Sequence, residues 1–178
     1  MKTIKNFLLL TIFLTLCIQV QAQKDKCKFD VDKKDAFSGL VYKSVKLEIL
    51  ASHEKVNTRY TWEFVKNDSV FSLTISRNFS GTKTDKIPQG AEILFKLSGG
   101  YIMHLLVAEE TTPTLNSTGT SVSSTYKIPV KIGKEDLKKL SAKVITNLKF
   151  GVGKLDVQGE LKSEEAGKIM QVCKCLLQ

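Results

Sequence analysis

The sequence predicts a mainly β fold of the α+β kind. It should be an antiparallel sheet of about seven or eight strands, sandwich or barrel-like, with one short helix and a C-terminal packing helix. Three observations carry this. Apolar and polar side chains alternate with period two through most of residues 28–158, the mark of strands with one buried face. Turn signals at Asn67-Asp68, Ile87-Pro88-Gln89-Gly90 and Ser98-Gly99-Gly100 break the alternation at hairpin spacing. Beyond the N-terminal leader, helical spacing of apolar residues occurs only after Gly133 and after Ser163.

The chain opens on a different signal. Lys2 and Lys5 precede an almost unbroken apolar run from Phe7 to Ile18, and Val20-Gln21-Ala22 places short side chains before a cut. This is the layout of a cleaved signal peptide over residues 1–22, with an apolar run too short to span a bilayer. Leu16 before Cys17 argues against lipid modification there. Removing 22 of 178 residues leaves 156, the size of a single domain with a real core. The expected organisation is one β-rich extracytoplasmic domain over 23–178, secreted or periplasmic, with no transmembrane segment.

Along that domain, Val45, Leu47 and Ile49 alternate with Lys46 and Glu48 as a half-buried strand. Tyr60, Trp62 and Phe64 then alternate with Thr61 and Glu63. After Asn67-Asp68, Phe71, Leu73 and Ile75 alternate with Ser72 and Thr74. Asn and Asp tolerate the positive φ of tight turns, so this is a hairpin. The aromatic row at 60, 62 and 64 reads as core in preference to a sugar-stacking platform. A polar stretch from Ser52 to Thr58 reads as a loop. Pro88 and Gly90 suit the second and fourth positions of a turn, before a strand through Ile93, Phe95 and Leu97. The run Tyr101–Ala108 is apolar at nearly every position, which predicts a central strand buried on both faces.

Residues 111–125 are mostly Ser, Thr, Asn, Gly and Pro, the composition of a flexible connecting loop. Tyr126, Ile128, Val130 and Ile132 restore the alternation. Lys134–Leu140 is a short helix with Leu137 and Leu140 on one face. Val144–Phe150 is a strand, Gly151–Gly153 a turn, and Leu155–Val157 the last strand. Ser163 is placed to cap a helix whose first turn carries Glu164 and Glu165. Ala166, Ile169, Met170, Cys173, Leu176 and Leu177 form its apolar stripe.

Cysteine arithmetic predicts one crosslink. Cys27, Cys173 and Cys175 remain after leader removal, and an oxidising compartment pairs two of them. Cys173 lies on the apolar stripe, so Cys27–Cys175 is expected, with Cys173 as the alternative partner of Cys27.

Charge and motifs exclude more than they assign. The formal charge of +9 falls to +7 without Lys2 and Lys5, and the lysines are scattered rather than clustered. Only Arg59 and Arg77 offer the bidentate guanidinium fork favoured for phosphate recognition. Export and the scattered charge argue against nucleic acid. Asp30, Asp32 and Asp35 lack the spacing of a calcium loop and are interrupted by Lys33 and Lys34. His53 and His104 are the histidines of the chain, and no nucleophile elbow or zinc-type histidine pair accompanies them. No catalytic, cofactor-binding or metal residue is assigned.

Cys27-Lys28-Phe29 leading to Phe37-Ser38-Gly39 resembles the opening of small exported bacterial β-rich proteins of unknown function. So do Ile87-Pro88-Gln89-Gly90 before a strand–Gly–strand hairpin, and Tyr126–Ile132 followed by Leu137 and Leu140. The resemblance implies an extracytoplasmic β-rich domain and brings no activity with it. The expected function is an exported, non-catalytic envelope protein that binds an envelope protein, a glycan or a small ligand, or has a structural role. The alternatives are a small-molecule carrier with a cavity inside a β-barrel, and a small hydrolase using His53 or His104.

Overall fold

Ten strands and two helices follow one another in the computed structural model, which describes residues 27–54, 56–150 and 157–178. The expected signal peptide over 1–22, Cys17, the expected turn at 151–153 and Leu155 lie outside the described residues. The strands are β1 (Val31–Lys34), β2 (Val41–His53), β3 (Val56–Asn67), β4 (Val70–Ser80), β5 (Glu92–Leu97) and β6 (Ile102–Val107), then β7 (Thr114–Thr118), β8 (Ser121–Lys131), β9 (Ile145–Phe150) and β10 (Val157–Leu161). The helices are α1 (Lys134–Ala142) and α2 (Ser163–Leu176).

The fold is mainly β and antiparallel, as the alternation predicts. Eight strands close into a ring in the order β2–β3–β4–β8–β6–β5–β9–β10 and back to β2. The ring is uneven. β2 and β3 pair along their whole length, from Tyr42↔Asn67 to His53↔Val56. The two seams that complete the circle hold only two residue pairs each, Leu106↔Lys131 with Val107↔Val130 and Glu160↔Ser52 with Leu161↔Ala51. β1 extends the sheet on the free edge of β2, and β7 does so beside β8.

The hairpin joining β3 to β4 forms as the sequence predicts, but its turn is Asp68-Ser69, with Asp68 at φ 53°, and Asn67 belongs to β3. This turn sets a register in which Phe64 faces Leu73 and Trp62 faces Ile75. That aromatic row points inward. Trp62 stacks on Phe95 of β5 with ring centroids 5.1 Å apart, and Tyr60 meets Phe150 of β9 edge-on at 6.3 Å. Since β3 and β5 stand on opposite sides of the ring, these contacts span its interior. Burying side chains of this size contributes roughly 1.5–3 kcal/mol apiece.

The second layer is α2, which lays Ala166, Ile169, Val172, Cys173 and Leu176 against the core, while Leu137 and Leu140 of α1 are buried with them. Cys27 is bonded to Cys175 with their Cα atoms 5.5 Å apart, and Cys173 is a buried free thiol. Among the described residues, no helix is long and apolar enough to cross a membrane.

Four local expectations are corrected. Residues 111–125 do not form a loop: Thr114–Thr118 pairs with Ser121–Thr125 as a hairpin, turning at Gly119 and Thr120. β7 is exposed at every residue, so backbone pairing rather than a buried face holds it, and apolar periodicity is blind to it. Ser52–Thr58 is likewise strand except at its tight turn, where Glu54 has φ 47°. β6 is buried on one face only, through Met103, Leu105 and Val107, while Ile102 and Leu106 are 49% and 40% exposed. At α2 the N-cap is Lys162, with Ser163 the first helical residue and no side-chain cap, although Glu164 and Glu165 occupy the first turn as predicted.

Candidate functional site

The fold uses most of the residues that the sequence offers for chemistry as scaffold. Asp35 accepts hydrogen bonds from the backbone N–H groups of Phe37 and Ser38 and from Ser38 Oγ, so it builds the turn that leads into β2. Those bonds hold its carboxyl below the usual carboxylate range. Asp30 accepts the Lys46 N–H, and Asp32 lies 3.9 Å from Lys43. The three aspartates thus point to three separate partners, and no group of metal-ligating side chains is found among the described residues.

The histidines lie apart. His53 closes β2, its Nε2 atom 3.3 Å from Gln158 Nε2 and 3.8 Å from Glu54. His104 stands on the outer face of β6 with Nδ1 3.5 Å from Glu92. Both rings are exposed to solvent, and among the described residues neither has a hydroxyl or thiol as a hydrogen-bond partner.

A different site comes from the way β3 and β4 part company. Their ladder runs outward from Asn67↔Val70 and ends at Thr61↔Ser76. Beyond that pair, β3 stays bonded to β2 as far as Val56, and β4 stays bonded to β8 as far as Ser80. The two strands therefore diverge, and the sheet wall opens into a cleft of about 390 Å³. One side is formed by Asn57, Thr58, Arg59 and Thr61 of β3. Ser76, Arg77 and Asn78 of β4 form the other, with Thr125 of β8 beside them. Every lining residue is polar and none is acidic.

Arg77 is the unusual member. It lies opposite Tyr126, a wholly buried residue, so it is on the core-facing side of β4. Its guanidinium carbon sits 4.1 Å from the centroid of the Phe79 ring and 5.5 Å from that of Tyr60. The Nε atom is buried and has no hydrogen-bond partner, and neither has the buried Tyr60 hydroxyl. Burial pulls the guanidinium below its ordinary value and raises that of the Tyr60 phenol, which the positive charge of Arg77 draws partly back. The arginine nevertheless stays charged at neutral pH. Arg59, across the cleft, is exposed and lies 3.7 Å from Glu48, whose other oxygen accepts a 3.0 Å hydrogen bond from Thr61.

No protein-family model, curated protein or solved structure matches this chain. The chemistry of the cleft is thus the guide to its use. Sequence reading set Arg59 and Arg77 apart as the chain's two guanidinium groups but did not bring them together. The signal that could have done so is the hairpin register, which needs the turn at Asp68-Ser69 and not at Asn67-Asp68. Counting outward from the Asp68-Ser69 turn puts Tyr60 opposite Arg77 and Arg59 one residue farther on.

Proposed function

We propose that the protein is an exported, non-catalytic binding module of the bacterial envelope, and that its ligand is held in the cleft between the diverging halves of β3 and β4. The leader over residues 1–22 supplies the address, and the Cys27–Cys175 bond suits a compartment where thiols oxidise. The observation that carries the reading is Arg77. Arg77 brings a positive charge to the cleft, its buried Nε has no hydrogen-bond partner, and the contacts it makes within the fold are with the Phe79 and Tyr60 rings. A carrier with a cavity inside the ring gains no support, because Trp62 and Phe95 occupy that space.

The test is a thermal-shift screen of mature Gln23–Gln178 against a broad set of small molecules, run beside a Thr61→Trp variant whose indole fills the cleft. Compounds that raise the melting temperature of the wild type and leave Thr61→Trp unmoved are the expected result. A screen with no such compound, or hits that persist in Thr61→Trp, overturns the proposal. Intact mass of the protein recovered from its native envelope tests the address, with a chain beginning at Gln23 expected and one beginning at Met1 refuting it.

A further inference from the structure

We infer that the cleft recognises a small, hydroxyl-bearing organic anion, such as a sugar acid or sugar phosphate, whose oxyanion group docks on Arg77. This rests on the preceding reading of the cleft as the binding site. The chain has 25 lysines and two arginines, and both arginines line this one opening while the lysines are spread over the surface. A guanidinium binds carboxylate or phosphate through two parallel N–H bonds, which an ammonium cannot do.

The orientation of Arg77 is set in advance. Phe79 lies 4.1 Å from the guanidinium carbon and Tyr60 5.5 Å, so the charge is held against rings. Its buried Nε is closed to a ligand, so the outer guanidinium nitrogens are the ones that a ligand in the cleft would meet. Its charge also lacks a counterion: no carboxylate lines the cleft, and no ion pair among the described residues includes Arg77. Arg77 is half-buried, so its charge is only partly solvated, and an arriving anion supplies a counterion. A cation meets the opposite situation.

The rest of the lining addresses the body of the ligand. Asn57, Asn78, Thr61, Ser76 and Thr125 line it with amides and hydroxyls, groups that both donate and accept as sugar hydroxyls require. Of these, Thr61 already donates to Glu48, Thr125 accepts from Asn116 and Asn57 accepts from Ser52. The volume of about 390 Å³ falls in the range of small-molecule sites. Arg59 provides a second positive charge that is shared at rest with Glu48, 3.7 Å away. Glu48 therefore competes with an incoming anion for Arg59.

Isothermal titration of the mature protein at low ionic strength decides the matter with defined probes. Glucuronate and glucose 6-phosphate carry both features, glucose carries hydroxyls alone, and acetate and inorganic phosphate carry charge alone. At least one of the first two is expected to bind about tenfold or more tightly than glucose and than the bare anions, the step that a charge-assisted pair of hydrogen bonds gives. Arg77→Met should abolish that preference and Arg77→Lys should keep part of it. Glu48→Gln should tighten binding several-fold. Arg77→Met should also melt at the same temperature as the ligand-free wild type or higher, which shows that lost binding is not lost folding.

Glucose binding as well as glucuronate overturns the anion class and leaves the cleft as a neutral sugar site. Binding that survives Arg77→Met, or no binding by any probe, overturns the inference. Hits in the thermal-shift screen that are neutral or cationic sink it too, while leaving the cleft in place. Hits indifferent to Thr61→Trp sink the cleft itself.

Discussion

Removing the Cys27–Cys175 bond should lower stability mainly through the unfolded chain. The two residues are 148 positions apart, and the loop-entropy relation gives about 5 kcal/mol at 25 °C for a crosslink of that span. Denatured chains are more compact than that relation assumes, so about 3–5 kcal/mol is the working range. The native side of the balance changes little. Without the bond, the N-terminal segment is still held to β2 by the Asp30 N–H donating to Ser44 O at 2.9 Å and by the Asp30 carboxylate accepting the Lys46 N–H. Phe29 also packs on the core, with Lys43 Nζ 4.7 Å from its ring centroid.

The assay is urea unfolding of the oxidised wild type and of Cys27→Ala/Cys175→Ala, followed through Trp62, the one tryptophan of the chain and wholly buried. Two changes are expected together. The free energy of unfolding falls by about 3–5 kcal/mol, a large part of the ~5–15 kcal/mol typical of a domain. The slope with denaturant rises, because an uncrosslinked chain exposes more surface. A loss under about 1 kcal/mol refutes the entropic reasoning. So does a full loss with unchanged slope, which would move the effect into the native state.

Gly159→Ala should destabilise by about 1–3 kcal/mol, because its new Cβ would stand 2.9 Å from Ala51 Cβ at the two-pair seam between β2 and β10. Ala51→Gly in the same chain should recover much of that loss, and a neutral Gly159→Ala in urea unfolding disproves the close approach. Cys173, its thiol pushed up to about 12 by burial, should ignore a thiol reagent at pH 8 in the native protein and react as one group per chain in denaturant. Labelling of the folded protein within minutes counts against it. Asp35 has its carboxyl lowered from the ordinary 3.8 by Ser38 and Phe37, so its contribution is complete above that value and lost as pH falls through the lower folded one. Amide exchange at Phe37 and Ser38, corrected for its intrinsic pH dependence, should accelerate across that window, and the same acceleration in Asp35→Asn would assign it elsewhere.

Where a strand buries one face and turns on a residue tolerant of positive φ, the sequence is explicit. Tyr60, Trp62 and Phe64, then a turn at Asp68, then Leu73 and Ile75 specify both strands of the central hairpin, while the register follows from Asn67 belonging to β3 and not to the turn. The stripe of α2 is equally plain: Cys173 on it is a free thiol and Cys175 beside it carries the crosslink, although both are buried. β7 escapes notice for a physical reason. Its five residues are all exposed, so no apolar rhythm marks it, although its threonines favour extended backbone. β6 fails in the opposite direction. Its apolar run cannot tell a strand buried on two faces from one that leaves Ile102 and Leu106 to solvent.

The cleft was less legible because it is set by two pairings at once. Within the β3–β4 hairpin, local signals call for the ladder to continue past Thr61↔Ser76. It stops where β3 follows β2 out to Val56 and β4 follows β8 out to Ser80. Neighbouring strands in a sheet rotate against one another, and each added partner turns the long overhangs farther apart. Closing the ring on the far side through two-residue seams leaves the divergence where the overhangs are longest. Arg77 falls inside that gap. Had the ladder continued, Tyr60 and Arg77 would be an ordinary cross-strand pair in a closed wall. The same substitution therefore separates scaffold from site: Arg77→Met costs stability if the guanidinium holds the two strands together, and costs only binding if the gap is there to receive a ligand.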